Sequence, residues 1–173
     1  RGKPAPILRN ISTIINSLMV STDRTISIKS SVENLEEVRR FISGIAGELG
    51  YEEHAAFEIE LSLYEACANV IEHAYENEGG NDITIEVDDD GNQMIVTITD
   101  NGLPFRWDGK TEVNISEMIL TKQDGGLGLH IIEACIDRLD YDRENDQNVL
   151  KLYKDLPDNL YKLEQHKVDG APE

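Results

Sequence analysis

Three short stretches of this 173-residue chain carry residues whose types and spacing could do chemistry. In Glu65-Ala66-Cys67-Ala68-Asn69 the carboxylate and the amide are four residues apart. On a helix they stand one above the other and can serve the same point in space. In Asp100-Asn101-Gly102-Leu103-Pro104-Phe105 an acid ends an alternating segment, and the glycine after it leaves room for a flat group against the backbone. Gly125-Gly126-Leu127-Gly128-Leu129 then opens an apolar-periodic stretch. Free N–H groups at a helix start, together with the helix dipole, attract an anion there. Each stretch also has an ordinary reading: a helix-surface pair, a turn acid, a flexible hinge. His73, one turn beyond Asn69, reads as a pocket-edge or packing residue. Neither G-x-x-x-x-G-K-[ST] nor a G-x-G-x-x-G after a strand occurs, so Walker and Rossmann chemistry are unsupported. Read jointly, the three stretches are pieces of one nucleotide pocket.

Charge limits how such a pocket can work. Lys and Arg number 16 against 34 Asp and Glu, a formal charge of −18, and no basic stripe is present. Direct nucleic-acid binding is therefore not expected. Phosphate must instead be held by backbone N–H groups and a divalent cation, which implies magnesium. Cys67 and Cys135, the only cysteines, sit inside apolar helical patterns without metal-ligand spacing, and read as buried structural thiols. No apolar run approaches the roughly 20 residues of a membrane span, and no charged leader opens the chain. The expectation is a cytoplasmic protein without membrane contact.

The elements that must position these residues are set by periodicity. Ile7, Ile11, Ile14 and Leu18 form the seam of an N-terminal helix, packed either on its own domain or against a second chain. Thr25–Val32 reads as a half-buried strand with Ile26, Ile28 and Val32 on one face, interrupted at Ser30. Residues 34–49 read as a helix with Gly50 as its stop. Residues 53–77 form the longest helix, with Phe57, Leu61, Tyr64, Ala68, Ile71 and Tyr75 as its buried stripe and Glu65 and Asn69 at the stripe's edge. Strands are expected at 82–88 and 93–100, joined by Asp88-Asp89-Asp90-Gly91-Asn92. Asp100 then points inward beside Met94, Val96 and Ile98 and needs a partner. Residues 103–124 read as a mobile loop, Gly125 onward as a helix, and 138–144 and 148–154 as the last strands. The fold class is α+β: a two-layer sandwich of an antiparallel or mixed sheet with three main helices on one face, plus the extra N-terminal helix. The expected divisions are 1–24, a domain over 25–156, and a tail over 157–173.

The motifs Glu65 to Asn69 with Val70-Ile71-Glu72-His73-Ala74-Tyr75, Asp100 to Phe105, and Gly125 to Leu129, in this order, resemble those of the Bergerat-type (GHKL) ATPases. Within that superfamily they resemble the bacterial anti-sigma-factor serine/threonine-protein kinases, from about Thr25 to Lys154. The resemblance implies the Bergerat ATP-binding fold. It also implies a nucleotide site made of Asn69, His73, Asp100, Gly102, Pro104, Lys122, Gly125, Gly126, Leu127, Gly128 and Leu129. In it Asn69 would hold the magnesium, Asp100 would receive the adenine amino group, Gly102 would make room for the ring, and the glycines would cradle phosphate beneath a lid over 105–124. Glu65 would be the general base toward a serine hydroxyl. Implied partners are an anti-sigma-factor antagonist of the STAS type, a sigma factor in another complex, and a second copy of the chain. Three features depart from the wider superfamily: Pro104 where glycine is frequent, the short lid and the added N-terminal helix. The other reading is a regulatory module that binds ATP without catalysis, and Glu65 argues against it. The catalytic half of a histidine kinase is disfavoured, because no two-helix phosphoacceptor domain precedes the core, and His54 and His73 both fall inside it.

Overall fold

The computed structural model describes residues 24–77, 79–104 and 127–158. The Ile7–Leu18 seam, the 105–124 segment with Lys122, Gly125 and Gly126, and the tail beyond 158 lie outside the described residues.

Five strands form one sheet: β1 (Thr25–Lys29), β2 (Asp82–Asp89), β3 (Gln93–Asp100), β4 (Arg138–Glu144) and β5 (Gln147–Asp155), in the order β1-β2-β3-β5-β4. Every described pairing is antiparallel, which decides between the two sheet types left open by the sequence. Alternation does what its period requires: Ile83, Ile85, Val87, Met94, Val96 and Ile98 are all buried on one face. Between β2 and β3, Gly91 takes a positive φ of 86°, and Asp90 Oδ1 accepts the N–H groups of Asn92 and Gln93. This is an acid capping its own turn.

Three helices, α1 (Leu35–Glu48), α2 (Glu53–Asn69) and α3 (Leu127–Cys135), share one apolar core with that face. In α1, Leu35, Val38, Ile42 and Ile45 are buried at helical spacing, and Gly50 ends the helix at φ 75°. Lys154 of β5 donates to the carbonyl of Cys135 at 2.6 Å and to Glu58 at 3.0 Å. A cation thus sits at the C-terminus of α3, where the helix dipole favours it.

Three sequence expectations are corrected. β1 stops at Lys29, so Ser30 takes the next inward position, 1% exposed, and its hydroxyl accepts the Asn81 N–H. Val32 begins a 3-10 turn (Val32–Asn34) and is 61% exposed. The buried stripe of α2 is Ile59, Ser62, Leu63, Ala66 and Cys67, not the Phe57 series, and Phe57 itself is 56% exposed. Helix α2 lies between α1 and α3 as well as on the sheet, so apolar residues recur round most of its circumference and two stripes share one period. The continuity read through Ile71 and Tyr75 also breaks. Val70–Ala74 is a π turn, closed by Tyr75 N–H to Val70 O at 3.0 Å, which inserts an extra residue and rotates the chain beyond it.

Candidate nucleotide-binding site

Helix α2 brings Glu65 and Asn69 to the edge of its buried face, each half-exposed and each preceding a buried residue, Ala66 and Val70. The first turn of α3 packs directly on them. A Cβ at Gly128 would lie 2.7 Å from Glu65 Oε2, 3.4 Å from Asn69 Oδ1 and 3.5 Å from Asn69 Nδ2. Glycine is what allows that approach. Carboxylate, amide and helix start thus form one cluster, although the third is separated from the others by some sixty residues.

The second centre forms where β3 ends. Asp100 is 4% exposed and pairs in register with Asn148 of β5. Asn148 Nδ2 donates to Asp100 Oδ1 at 2.7 Å, and the Gly102 N–H donates to the same oxygen at 2.8 Å. On the other side of the amide, Asn148 Oδ1 accepts from the Tyr141 hydroxyl at 2.8 Å and Arg143 Nη1 at 2.6 Å. Burial pushes the Asp100 carboxyl above its ordinary pKa, opposed by the Asn148 and Gly102 hydrogen bonds and the charge of Arg143. The partner that the sequence demanded for Asp100 is therefore Asn148.

The turn after Asp100 is clamped to the π turn. The Tyr75 hydroxyl accepts the Asn101 N–H at 2.9 Å and donates to Asp82 O at 3.1 Å, while the Leu103 N–H reaches Ala74 O at 2.8 Å. A Cβ at Gly102 would lie 2.6 Å from Ala74 O and 2.8 Å from its carbonyl carbon. The close approach that demands glycine here is to protein backbone.

Residues of both centres, Asn69 of the first and Asp100 and Asn148 of the second, line a cleft of about 470 Å³, within the range of small-molecule sites. Its walls are largely apolar, with Val70, Leu129, Ile132, Leu139 and Leu150 among them, and Asp100 and Asn148 supply polar groups. Asn69, His73, Leu103 and Pro104 also line it; His73 is exposed, and Leu103 is 54% exposed. An apolar slot lined by a buried carboxylate and by the amide of Asn69, itself beside Gly128 and Glu65, suits a flat base joined to an anionic tail. Cys67 lies fully buried behind the site, its thiol pushed up to about 12 chiefly by desolvation, and takes no chemical part.

Sequence reasoning missed Asn148, Tyr141 and Arg143. Nothing local distinguishes an asparagine in a strand, and only the β3–β5 register, 48 residues away from Asp100, gives it a role. Among the described residues no cluster of three or more His, Cys, Asp or Glu could hold a metal by itself. The donors facing Gly128, an amide and a carboxylate oxygen, are hard ligands that fit a magnesium ion otherwise held by phosphate oxygens and water.

The sequence model of the histidine kinase-like ATPase domain matches residues 28–154, well over half the chain. The chain belongs to this family. Within the histidine kinase-like ATPases it falls in the anti-sigma-factor serine kinase subgroup. The serine-protein kinase RsbW of Halalkalibacterium halodurans is 33% identical over 152 residues, covering 86% of this chain and 89% of that one. RsbW of Bacillus thuringiensis is 26% identical over 149 residues, covering 84% and 89%. A solved structure of the RsbU and RsbW domains of Rv1364c from Mycobacterium tuberculosis superposes with a TM-score of 0.52 at 15% identity, over 75% of this chain. This chain spans 32% of that longer protein, and the likeness is one of fold. The ATP-binding character of the family agrees with the cleft, whose lining includes the motif residues Asn69, His73, Asp100, Pro104 and Leu129.

Proposed function

We propose that this chain is a magnesium- and ATP-dependent serine kinase that phosphorylates a serine of a STAS-type anti-sigma-factor antagonist in a partner-switching pathway. It works in the cytoplasm as a homodimer, and a sigma factor is its alternative partner. The observation that carries this reading is the close approach of Gly128 to Glu65 and Asn69, with Asn69 and Asp100 lining one cleft.

In this reading Asp100 accepts the adenine amino group, and the apolar walls hold the ring. The glycine-rich start of α3 presents backbone N–H groups to phosphate. Asn69 would hold magnesium, which when bound would neutralise charge between the phosphates. Glu65 accepts the proton of the incoming serine hydroxyl as its oxygen bonds to the terminal phosphorus, and ADP departs with the electrons of the broken P–O bond. Support comes from Glu65 itself: a module that only binds ATP has no need of a carboxylate beside the glycine contact. The test is incubation with labelled ATP and candidate STAS-domain antagonists. Label is expected on one antagonist serine and is expected to vanish when that serine is alanine. Nucleotide binding without transfer to any antagonist would instead mark a regulatory module.

A further inference from the structure

We infer that the groove between α1 and α2 is the seat of the chain's own residues 7–19, held there as a helix by the seam of Ile7, Ile11, Ile14 and Leu18. The contact lies apart from the nucleotide cleft and does not depend on the kinase reading.

The groove, of about 680 Å³, is lined by Ser43 and Gly47 of α1 and, on α2, by Glu53, Ala56, Phe57 and Glu60 among others. Phe57 lies 56% exposed in it. Of the large apolar side chains exposed among the described residues, Leu103 belongs to the nucleotide cleft and Val32 follows the far end of β1, so Phe57 is the one near the α1–α2 turn. Gly44 and Gly47 also lack a reason within the domain. Neither takes a positive φ, and among the described residues a Cβ on either would meet nothing within 4 Å. Glycine inside a helix is destabilising relative to alanine, and what it permits is close approach by a second helix. Two further observations name the occupant. The first is where the described residues begin. Arg24 bonds Asp89 at 3.1 Å, Asp89 pairs with Met94, Met94 pairs with Lys154, and the Lys154 carbonyl accepts the Tyr51 hydroxyl at 3.0 Å. Tyr51 is in the turn from α1 to α2, so Arg24 stands at the end of the molecule that holds Gly47 and Glu53. Residues 20–23 reach about 14 Å when extended, which tethers 7–19 to that end. As a helix, 7–19 is about 20 Å long and covers the roughly 12 Å of α2 between residues 53 and 60. The second observation is charge. Residues 1–22 carry Arg1, Lys3 and Arg9 and no acid, against −18 for the whole chain. Exposed carboxylates of Glu48, Glu52 and Glu53 stand at the matching end of the groove. A basic amphipathic helix thus meets an apolar groove rimmed with acid, and its anchors recur three and four residues apart as such docking requires.

Amide hydrogen exchange on the full chain tests this. Exchange at residues 7–19 should be slowed below the free-chain rate, and equally so at low and high protein concentration. Gly47→Leu puts a side chain into the groove while giving α1 a better helix former, and Phe57→Lys sets a positive charge against the basic segment. Each should release 7–19 to free exchange while residues 59–67 stay protected, the sign of an intact fold. Ser17→Cys and Ser43→Cys on one chain, with Cys135→Ser, should be joined by a short bis-maleimide within that chain, and a mixture of the two single variants should stay unjoined. Free exchange at 7–19 in wild type, or protection that survives both Gly47→Leu and Phe57→Lys, would overturn the assignment. So would linkage only in the mixture of single variants, which would make the groove a seat for a second copy of the chain.

Discussion

Asp100 is where burial and hydrogen bonding compete within one side chain. Desolvation raises its carboxyl above the ordinary value near 3.9, and Asn148, Gly102 and Arg143 pull it back only in part. The consequence is two dependences of opposite sign. Because the folded pKa lies above the unfolded one, the stability from this group is fully present below the unfolded pKa and is lost as pH rises through the folded one. Adenine binding runs the other way, since the ionised carboxylate is the better acceptor. ATP affinity should fall as pH is lowered through the raised value, beginning above the range of an unperturbed aspartate. Calorimetry from pH 7 downward checks this, and an affinity constant until the fold itself is lost would contradict it. At this scale the sequence is informative wherever residue type and local spacing carry the signal. Glu65 with Asn69, Asp100, Gly102 and Gly128 stand out in this way, while Gly125 and Gly126 lie outside the described residues. Asn148 does not, because its role comes from a partner across the sheet.

Among the elements, the strands were the most legible. A period of two with β-branched residues has one reading, and both hairpins lie where alternation and turn residues put them. Helix α2 was legible as a helix but not in its orientation. A helix with neighbours on three sides can be apolar on more than one stripe, and Phe57, Leu61, Tyr64 and Ala68 repeat as regularly as Ile59, Leu63, Ala66 and Val70. The π turn leaves no periodic mark before its consequences are seen, yet it supplies Ala74 and Tyr75 to hold the turn after Asp100. This junction yields a sharp prediction. Gly102→Ala would press a methyl group into the Ala74 carbonyl, which is backbone and cannot swing aside. The cost should be about 1–3 kcal/mol, typical of overpacking, read as a lower denaturation midpoint. Unchanged stability would mean that the turn is free to move from α2.

For the molecule as a whole, the net charge of −18 explains why the proposed phosphate site relies on backbone and a cation rather than on lysines. The core itself is ordinary in kind: one cluster uniting three helices and the sheet face, with Cys67 fully inside it. A thiol pushed up to about 12 and sealed from solvent should not react with a thiol reagent at pH 8 in the native protein, whereas Cys135, expected to be buried from its helical pattern but only half-buried, should react first. Titration of the thiols before and after denaturation measures this; two fast native thiols would mean that the core opens readily. The central claim is that this fold is a kinase rather than an ATP-gated module, and Glu65→Gln tests it most directly. Glutamine keeps the length of the side chain against Gly128 but is not a proton acceptor. The account predicts ATP affinity close to wild type and a loss of serine phosphorylation of at least about 100-fold, the lower end of what a positioned base contributes. Full phosphotransfer by Glu65→Gln would contradict it.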